Sequence, residues 1–202
     1  MSFSTPRVTA LVVASCFAAG LNLYATVAAL GVLGRLHAIE LPASLDVVTH
    51  GWVIGIGVAL YGIEFVADKI PAVDLVWNAL HTFVRVPIAA LAAYAAAADL
   101  SPAEQLLTTS LGGLVALVAH GGKTAARVAV TASPEPVSNI ALSLGEDAVA
   151  VSIVWLAGRH PYWAAGIAAL LMVIILAVAR TVVRAAQAMF RGARRQLASL
   201  SR

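Results

Sequence analysis

The feature that most constrains this chain is a succession of long stretches without charge. Residues 161–179 hold no Asp, Glu, Lys, Arg or His except at the flanks, and five other stretches approach the same composition. About 20 apolar residues are needed to cross ~30 Å of hydrocarbon as a helix. Six segments meet that length: residues 8–33, 47–66, 72–98, 105–130, 137–157 and 162–183. Barrel strands would alternate apolar and polar over ~10 residues, and residues 164–179 do not alternate. The expected fold class is therefore all-α integral membrane, six transmembrane helices in one domain, 1–202. Composition agrees, with 61% hydrophobic and 11% charged residues among 202. Ordinary soluble domains carry about 25% charge, so a soluble enzyme is excluded, as is a disordered chain. A single cysteine excludes an intramolecular disulfide.

Val13-Ala14-Ser15-Cys16 has the look of a lipoprotein cleavage box behind Arg7, but the apolar run continues to Leu33. A signal peptide has an apolar core of about 7–15 residues followed by polar mature sequence, so the first span is expected to be retained. Lys and Arg in short loops set orientation. Arg180, Arg184, Arg191, Arg194, Arg195 and Arg202 put the tail on the cytoplasmic side of an inner (plasma) membrane, with Lys69, Lys123 and Arg127 inside too. Six spans then put the N-terminus with Arg7 in the cytoplasm as well. The outer loops would carry Arg35 and Arg159, and Trp155, Tyr162 and Trp163 would anchor at the interface around the 158–161 turn. The arginine tail lacks interleaved aromatics, so no nucleic-acid partner is expected; the bilayer is the partner.

An offset of 92 residues aligns Gly20 with Gly112, Arg35 with Arg127 and Pro42 with Pro134. Removing ten residues then aligns Glu64 with Glu146. Two halves, 8–98 and 105–190, of three spans each would be inverted in the membrane, an architecture recurrent among transporters.

Ionised residues within a span persist only when they face protein or water. Two clusters of them stand at span ends. Glu64 and Asp68 are four apart, followed by Lys69, and Asp74, Asn78, His81 and Arg85 fall at steps of four, three and four. Each set shares one helical face. In the second cluster His120, Lys123 and Arg127 share a face, as do Asn139, Ser143, Glu146 and Asp147. Pro134 and Pro136 interrupt the helix between them. Both clusters begin from the cytoplasmic side, where they can meet. The plainest role is ion pairing between helices, Arg85 with Glu64 or Glu146 and Lys123 with Asp147. Five acids, four bases and two histidines exceed what six small helices need as ties, which points to a solvated polar cavity lining a path.

No Ser or Cys stands beside a His on one face, so nucleophilic catalysis is not indicated. Glu64, Asp74, His81 and Glu146 are the candidate metal donors, suited to Mn or Zn if assembled across helices. Gly121-Gly122-Lys123-Thr124 has the end of a phosphate-binding loop but neither its first glycine nor a preceding strand, and no cofactor is expected.

Several of these residues carry a family resemblance. Gly20-x-Asn22-x-Tyr24, Leu41-Pro42, Glu64-Phe65-x-Ala67-Asp68-Lys69-Ile70-Pro71-x-x-Asp74-x-x-Trp77, His81-Thr82-x-x-Arg85, Ser133-Pro134-x-Pro136-x-Ser138-Asn139 and Glu146-Asp147 resemble the small bacterial membrane proteins catalogued as domain of unknown function four-one-two-six. The resemblance implies a multi-pass membrane protein and supplies no catalytic residues. The expectation is a small inner-membrane transporter or channel moving an ion or small polar solute, proton-coupled in one version. Gly112-Gly113 and the alanines of 89–98 would allow close packing or a homo-oligomer. Two alternatives stand beside it. One is an intramembrane enzyme or lipid-headgroup binder, with Lys123 and Arg127 as anion site and His81 as acid/base. The other is a non-catalytic scaffold.

Overall fold

A computed structural model describes residues 4–131 and 136–200, in which helices are joined by turns and short irregular links. The helices are α1 (Thr5–Leu21), α2 (Leu23–Arg35), a short 3-10 segment (Ala43–Thr49), α3 (Gly51–Ala67), α4 (Pro71–Ala96), α5 (Pro102–Thr131), α6 (Pro136–Arg159) and α7 (Pro161–Leu200). Three of them contain apolar stretches long enough to cross a membrane: Val76–Ala96, Ile140–Arg159 and Pro161–Thr181. The 3-10 segment and α3, bent by 61° at His50, make a fourth when taken as one span. By length and composition the described residues thus show three spans, or four with the bent pair.

The first expected span differs most. Residues 8–33 form two helices broken at Asn22, whose backbone is extended (φ −147°, ψ 104°). The pair turns back on itself. At the start of α1, Thr5 donates to Glu104 (3.0 Å) and Arg7 pairs with Glu40 (2.5 Å) beyond the end of α2. Arg159, at the end of α6, donates to the carbonyl of Ala38, and Arg35 donates to the carbonyl of Thr49 (3.3 Å). Both ends of the hairpin thus share one face with the α4–α5 and α6–α7 turns, here termed the loop face, and Asn22 is its apex. The start of α1 consequently lies at the opposite end of the bundle from the end of α7, against the expectation that both termini share a side. The physical reason is that Asn disfavours a helix interior and favours an N-cap. Its side-chain oxygen accepts from Ala25 N–H (2.9 Å) and starts α2 afresh.

From the loop face α3 descends, α4 returns, α5 descends, α6 returns and α7 descends. α1 is buried on all sides by α4, α5, α6 and α7 through Ala14, Phe17, Ala18 and Ala19. Close approach rests on small residues. A Cβ on Gly20 would stand 2.6 Å from the carbonyl oxygen of Ala116, and one on Gly112 would stand 2.7 Å from Ala93 Cβ. With no hydrophobic force between helices in lipid, such contact is what holds them. The outside is apolar, with Phe83 82% exposed and Leu107, Val137 and Trp163 also exposed, whereas Arg85 and Arg127 are 0% exposed. That inside-out distribution fits an embedded protein. Trp155, Tyr162 and Trp163 are exposed around the 158–161 turn, as interfacial anchors require.

α7 continues unbroken for 40 residues, about 60 Å at 1.5 Å per residue, so the arginine tail is one helix with the last span. Arg180, Arg184 and Arg191 are exposed on it. The two halves are not built alike: α1 and α2 form a hairpin where the second half has the single 30-residue α5. Arg35 lies at the exposed loop face, while its aligned counterpart Arg127 is buried. Pro134 lies outside the described residues, and Pro136 opens α6.

Candidate functional site

Below Asn22 the two sequence clusters form a single buried body. The spacing that put Glu64 and Asp68 on one face of α3 aims both at α5. Glu64 Oε1 accepts from Arg85 and from Lys123 (3.2 Å), and Asp68 Oδ2 from Lys123 (3.0 Å) and Arg127 (3.2 Å). From α6, Glu146 Oε2 accepts from Arg127 (2.6 Å) and pairs with Lys123 at 3.5 Å. Arg127 also donates to the carbonyl of Asp68 (3.0 Å) and reaches Asp74 Oδ2 at 3.4 Å. Asn78, one turn along α4, donates to Asp74 Oδ1 at 2.6 Å. The cations thus serve as hubs among carboxylates from three helices. Buried ions hold only in such geometry, since desolvation costs several kcal/mol each.

The same network holds the broken helix. Arg85 Nη1 donates to the carbonyl of Leu21 (3.0 Å), the last residue of α1, while another guanidinium nitrogen holds Glu64. Asn22 Nδ2 donates to Asp147 Oδ1 at 2.8 Å, and Tyr61 donates to Asp147 Oδ2 at 3.1 Å. A cation therefore faces the negative end of α1, and an anion lies beside the positive end of α2, the pairing that helix dipoles favour. Irregular backbone at membrane depth needs such partners.

The two histidines are fixed separately. His81 Nδ1 lies 2.8 Å from the carbonyl of Trp77, which can only accept, so that nitrogen carries the proton and Nε2 accepts from Tyr24 at 3.0 Å. His81 also stacks on Trp77, with centroids 4.1 Å apart. His120 Nε2 lies 3.1 Å from the carbonyl of Asn78 and 2.8 Å from Thr82 Oγ1, leaving Nδ1 toward Arg85 at 3.5 Å.

Of the expected site residues, Glu64, Asp68, Asp74, Asn78, Arg85, His120, Lys123, Arg127, Ser143, Glu146 and Asp147 are buried together in this lower half. Lys69 stands apart, half-buried, on the carbonyl (2.8 Å) and ring of Phe65. His81 is half-buried at the Tyr24 side. The side chain of Asn139 lies outside the described residues. Lys123 pairs with Glu64, Asp68 and Glu146 instead of Asp147, because α5 presents it toward α3. The four metal candidates do not converge: Glu64, Asp74 and Glu146 are taken by Arg and Lys, and His81 by Tyr24. Among the described residues no group of three or more His, Cys, Asp or Glu is arranged to hold a metal ion. Lys123 and Arg127, saturated by carboxylates, leave little for a phosphate.

Asn22, Tyr61 and Thr82 are site residues that the charge pattern did not single out. For Asn22 a signal existed, since it is a strong helix N-cap set in the middle of an apolar stretch. Thr82 stood in the His81-Thr82-x-x-Arg85 motif without a role of its own, and Tyr61 gave no signal, because each acts through a residue on another helix.

Above the network two cavities follow one another. An open crevice of about 1080 Å³ at the loop face is lined by Arg35, His37, Glu40, Asp46, His50 and Asp99, among others. Beneath it a cavity of about 60 Å³ lies between α1, α2 and α4, lined by Ser15, Cys16, Thr26, Leu45, Val48 and Ala89, among others. The 3-10 segment separates them, Ala43, Asp46 and Thr49 facing the crevice and Leu45 and Val48 the lower cavity. That split follows from three residues per turn. At the loop face Ser101 and Glu104 form a capping box at the start of α5, Ser101 Oγ donating to Glu104 Oε2 (2.6 Å). Hydrogen bonds from the Ser101 hydroxyl and N–H, and then from Thr5, hold the Glu104 carboxyl below its ordinary range.

No curated protein and no solved structure matches this chain. One family model matches it, over residues 9–181, taking in the hairpin, the charged network and the crossing helices. The chain belongs to the family described as a domain of unknown function, DUF4126.

Proposed function

We propose that this protein is a small membrane transporter that moves an ion or small polar solute past the apex of the α1–α2 hairpin. The observation that carries the reading is the broken helix itself. Asn22 interrupts an apolar segment and brings two helix ends into a body of buried charge. Discontinuous helices whose ends meet at depth are how many transporters form their sites. A crevice, an amphipathic 3-10 segment and a cavity in succession above that apex supply an approach from the loop face. The 3-10 segment is then the closed outer gate, and the packed network the closed inner one.

The tail arginines on α7 and Lys69 put the end away from the loop face in the cytoplasm of an inner membrane. The start of α1 then faces the other side, with Glu40 and Glu104. Labelling of Ser4→Cys from outside sealed cells, with a tag after Arg202 reached only on lysis, is the expected result.

The test of transport is flux. Purified protein in liposomes, assayed over a panel of ions, amino acids and phosphates with an internal pH dye, is expected to move at least one. Glu146→Gln, which keeps the side-chain shape but removes the charge that holds Arg127 and Lys123, is expected to abolish that flux while the protein stays monodisperse. Absence of flux for every solute, with Glu146→Gln lowering only thermal stability, would instead make the network a structural tie.

A further inference from the structure

The cavity beneath the 3-10 segment is not sealed from the bilayer. Its floor is α1, through Leu11, Val12 and Cys16, and its roof is the segment itself, through Leu45 and Val48. Its sides are α2 and α4, which each pack on α1 and on the 3-10 segment but scarcely meet. Ile88 and Ala92 of α4 line the cavity and are also exposed on the outside of the bundle, so the gap opens sideways toward lipid. Apart from Ser15, Cys16 and Thr26 the lining is aliphatic. A pocket lined in this way stays dry and takes apolar guests.

The polar crevice adjoins this cavity within one helical turn on three elements. On α2, Leu30 lines the cavity and Gly34 the crevice. Leu45 and Asp46 divide in the same way on the 3-10 segment, and Ala96 and Asp99 do so at the end of α4. One turn of α-helix is about 5.4 Å, the scale on which a lipid passes from headgroup to hydrocarbon. The level fits as well, since Trp155, Tyr162 and Trp163 are exposed at the same loop face as interfacial anchors. Charge of both signs lines the crevice. Arg35 stands there with the exposed Asp46 and Asp99, whereas Glu40 is taken by Arg7.

We infer that crevice and cavity together are a binding site for one phospholipid of the loop-face leaflet, with a headgroup that carries both a phosphate and an ammonium. The headgroup occupies the crevice, and one acyl chain enters the cavity through the α2–α4 gap. Arg35 gives one guanidinium nitrogen to the carbonyl of Thr49 (3.3 Å), and its remaining donors suit the phosphate. Asp46 and Asp99 suit the ammonium. A headgroup with negative charge alone would offer nothing to these two carboxylates and would be repelled by both. At about 60 Å³ the cavity admits a short length of chain, and the rest lies in the gap between the helices. The site goes beyond the transport reading, because a lipid held there needs no solute to pass the hairpin apex.

Native mass spectrometry of the full-length protein, released from detergent containing equal amounts of phosphatidylethanolamine and phosphatidylglycerol, tests the site. One phosphatidylethanolamine per chain is expected to stay bound, several-fold over phosphatidylglycerol. Ala92→Phe, which puts a ring in the mouth of the cavity, is expected to cut that adduct several-fold. Leu107→Phe, also on the outside of the bundle but on α5, is expected to leave it unchanged. Asp46→Asn combined with Asp99→Asn is expected to abolish the preference between the two lipids with little change in melting temperature, since both side chains are exposed. That variant keeps the test open if Ala92→Phe fails to fold. Equal retention of the two lipids, an adduct unmoved by either variant (an annular lipid only), or a dimer carrying no adduct would each overturn the inference. Flux in liposomes separates this site from the transport reading. Lipid retention without solute flux would sink transport alone, and flux with no retained lipid would sink the lipid site alone.

Discussion

The bundle is held together by different means above and below Asn22. Above, α1 meets α4, α5 and α7 through Gly20, Gly112, Ala14, Ala18, Ala93 and Ala116, with backbones almost touching. Below, α3, α4, α5 and α6 are joined by carboxylates around Arg85, Lys123 and Arg127. The first kind of contact depends on shape alone and has one best geometry. The second can exchange partners, since Arg127 reaches three carboxylates and Lys123 three. The helix contacts of the upper half are thus fixed by shape, and those of the charged half by partners within reach of more than one carboxylate.

The sharpest way to break this comparison is Arg85→Ala. It leaves Glu64 with Lys123 alone and uncovers the carbonyl of Leu21. Loss of one partner from a buried pair costs about 3–5 kcal/mol, so the melting temperature in detergent should fall steeply. Arg85→Lys should not restore it, because one ammonium cannot serve Glu64 and Leu21 as a guanidinium does.

In the upper half, Gly20→Ala drives a methyl against the Ala116 carbonyl, an overpacking of about 1–3 kcal/mol. Gly62→Ala, with nothing within 4 Å, should instead gain about 0.5–1 kcal/mol of helix stability. Equal effects in the two variants would end the argument for close packing. At the boundary, Asn22→Ala removes the α2 cap and one donor to Asp147, and should cost about 1 kcal/mol.

The smallest effect belongs to Glu104→Gln at the loop face. Glu104 is held below its ordinary range by Ser101 and Thr5. Its contribution is present above the unfolded carboxyl range and is lost as pH falls through the folded value. Wild type and variant should differ in melting temperature at neutral pH and converge in acid.

Much of the fold was legible because a membrane leaves few choices. α4, α5 and α6 begin and end within a few residues of the apolar segments, α7 begins with its segment but runs on to Leu200, and the turn at 158–161 is where the aromatics and Gly158 put it. The polar stripe of α4 is real: Asp74, Asn78 and Arg85 are all buried, as a charge in lipid requires. The first span was misread because hydropathy averages over Asn22 and cannot register a single residue that caps a new helix. The partner of Lys123 was misread for another reason: helical spacing tells which residues share a face, not which helix that face meets.

Residue order alone determined that this chain is helical, belongs in a bilayer and hides mixed charge on α3 to α6. Those properties follow from length and from the cost of exposing charge to hydrocarbon, both local to each segment. Only the tertiary structure decided that α1 and α2 turn back on one another, that two clusters are one network, and that Asp147 is held in it by Asn22 and Tyr61. These are relations between helices far apart in sequence. They are set by how close Gly20 and Gly112 let backbones come and by which carboxylate each guanidinium can reach, and no periodicity within one helix carries that information.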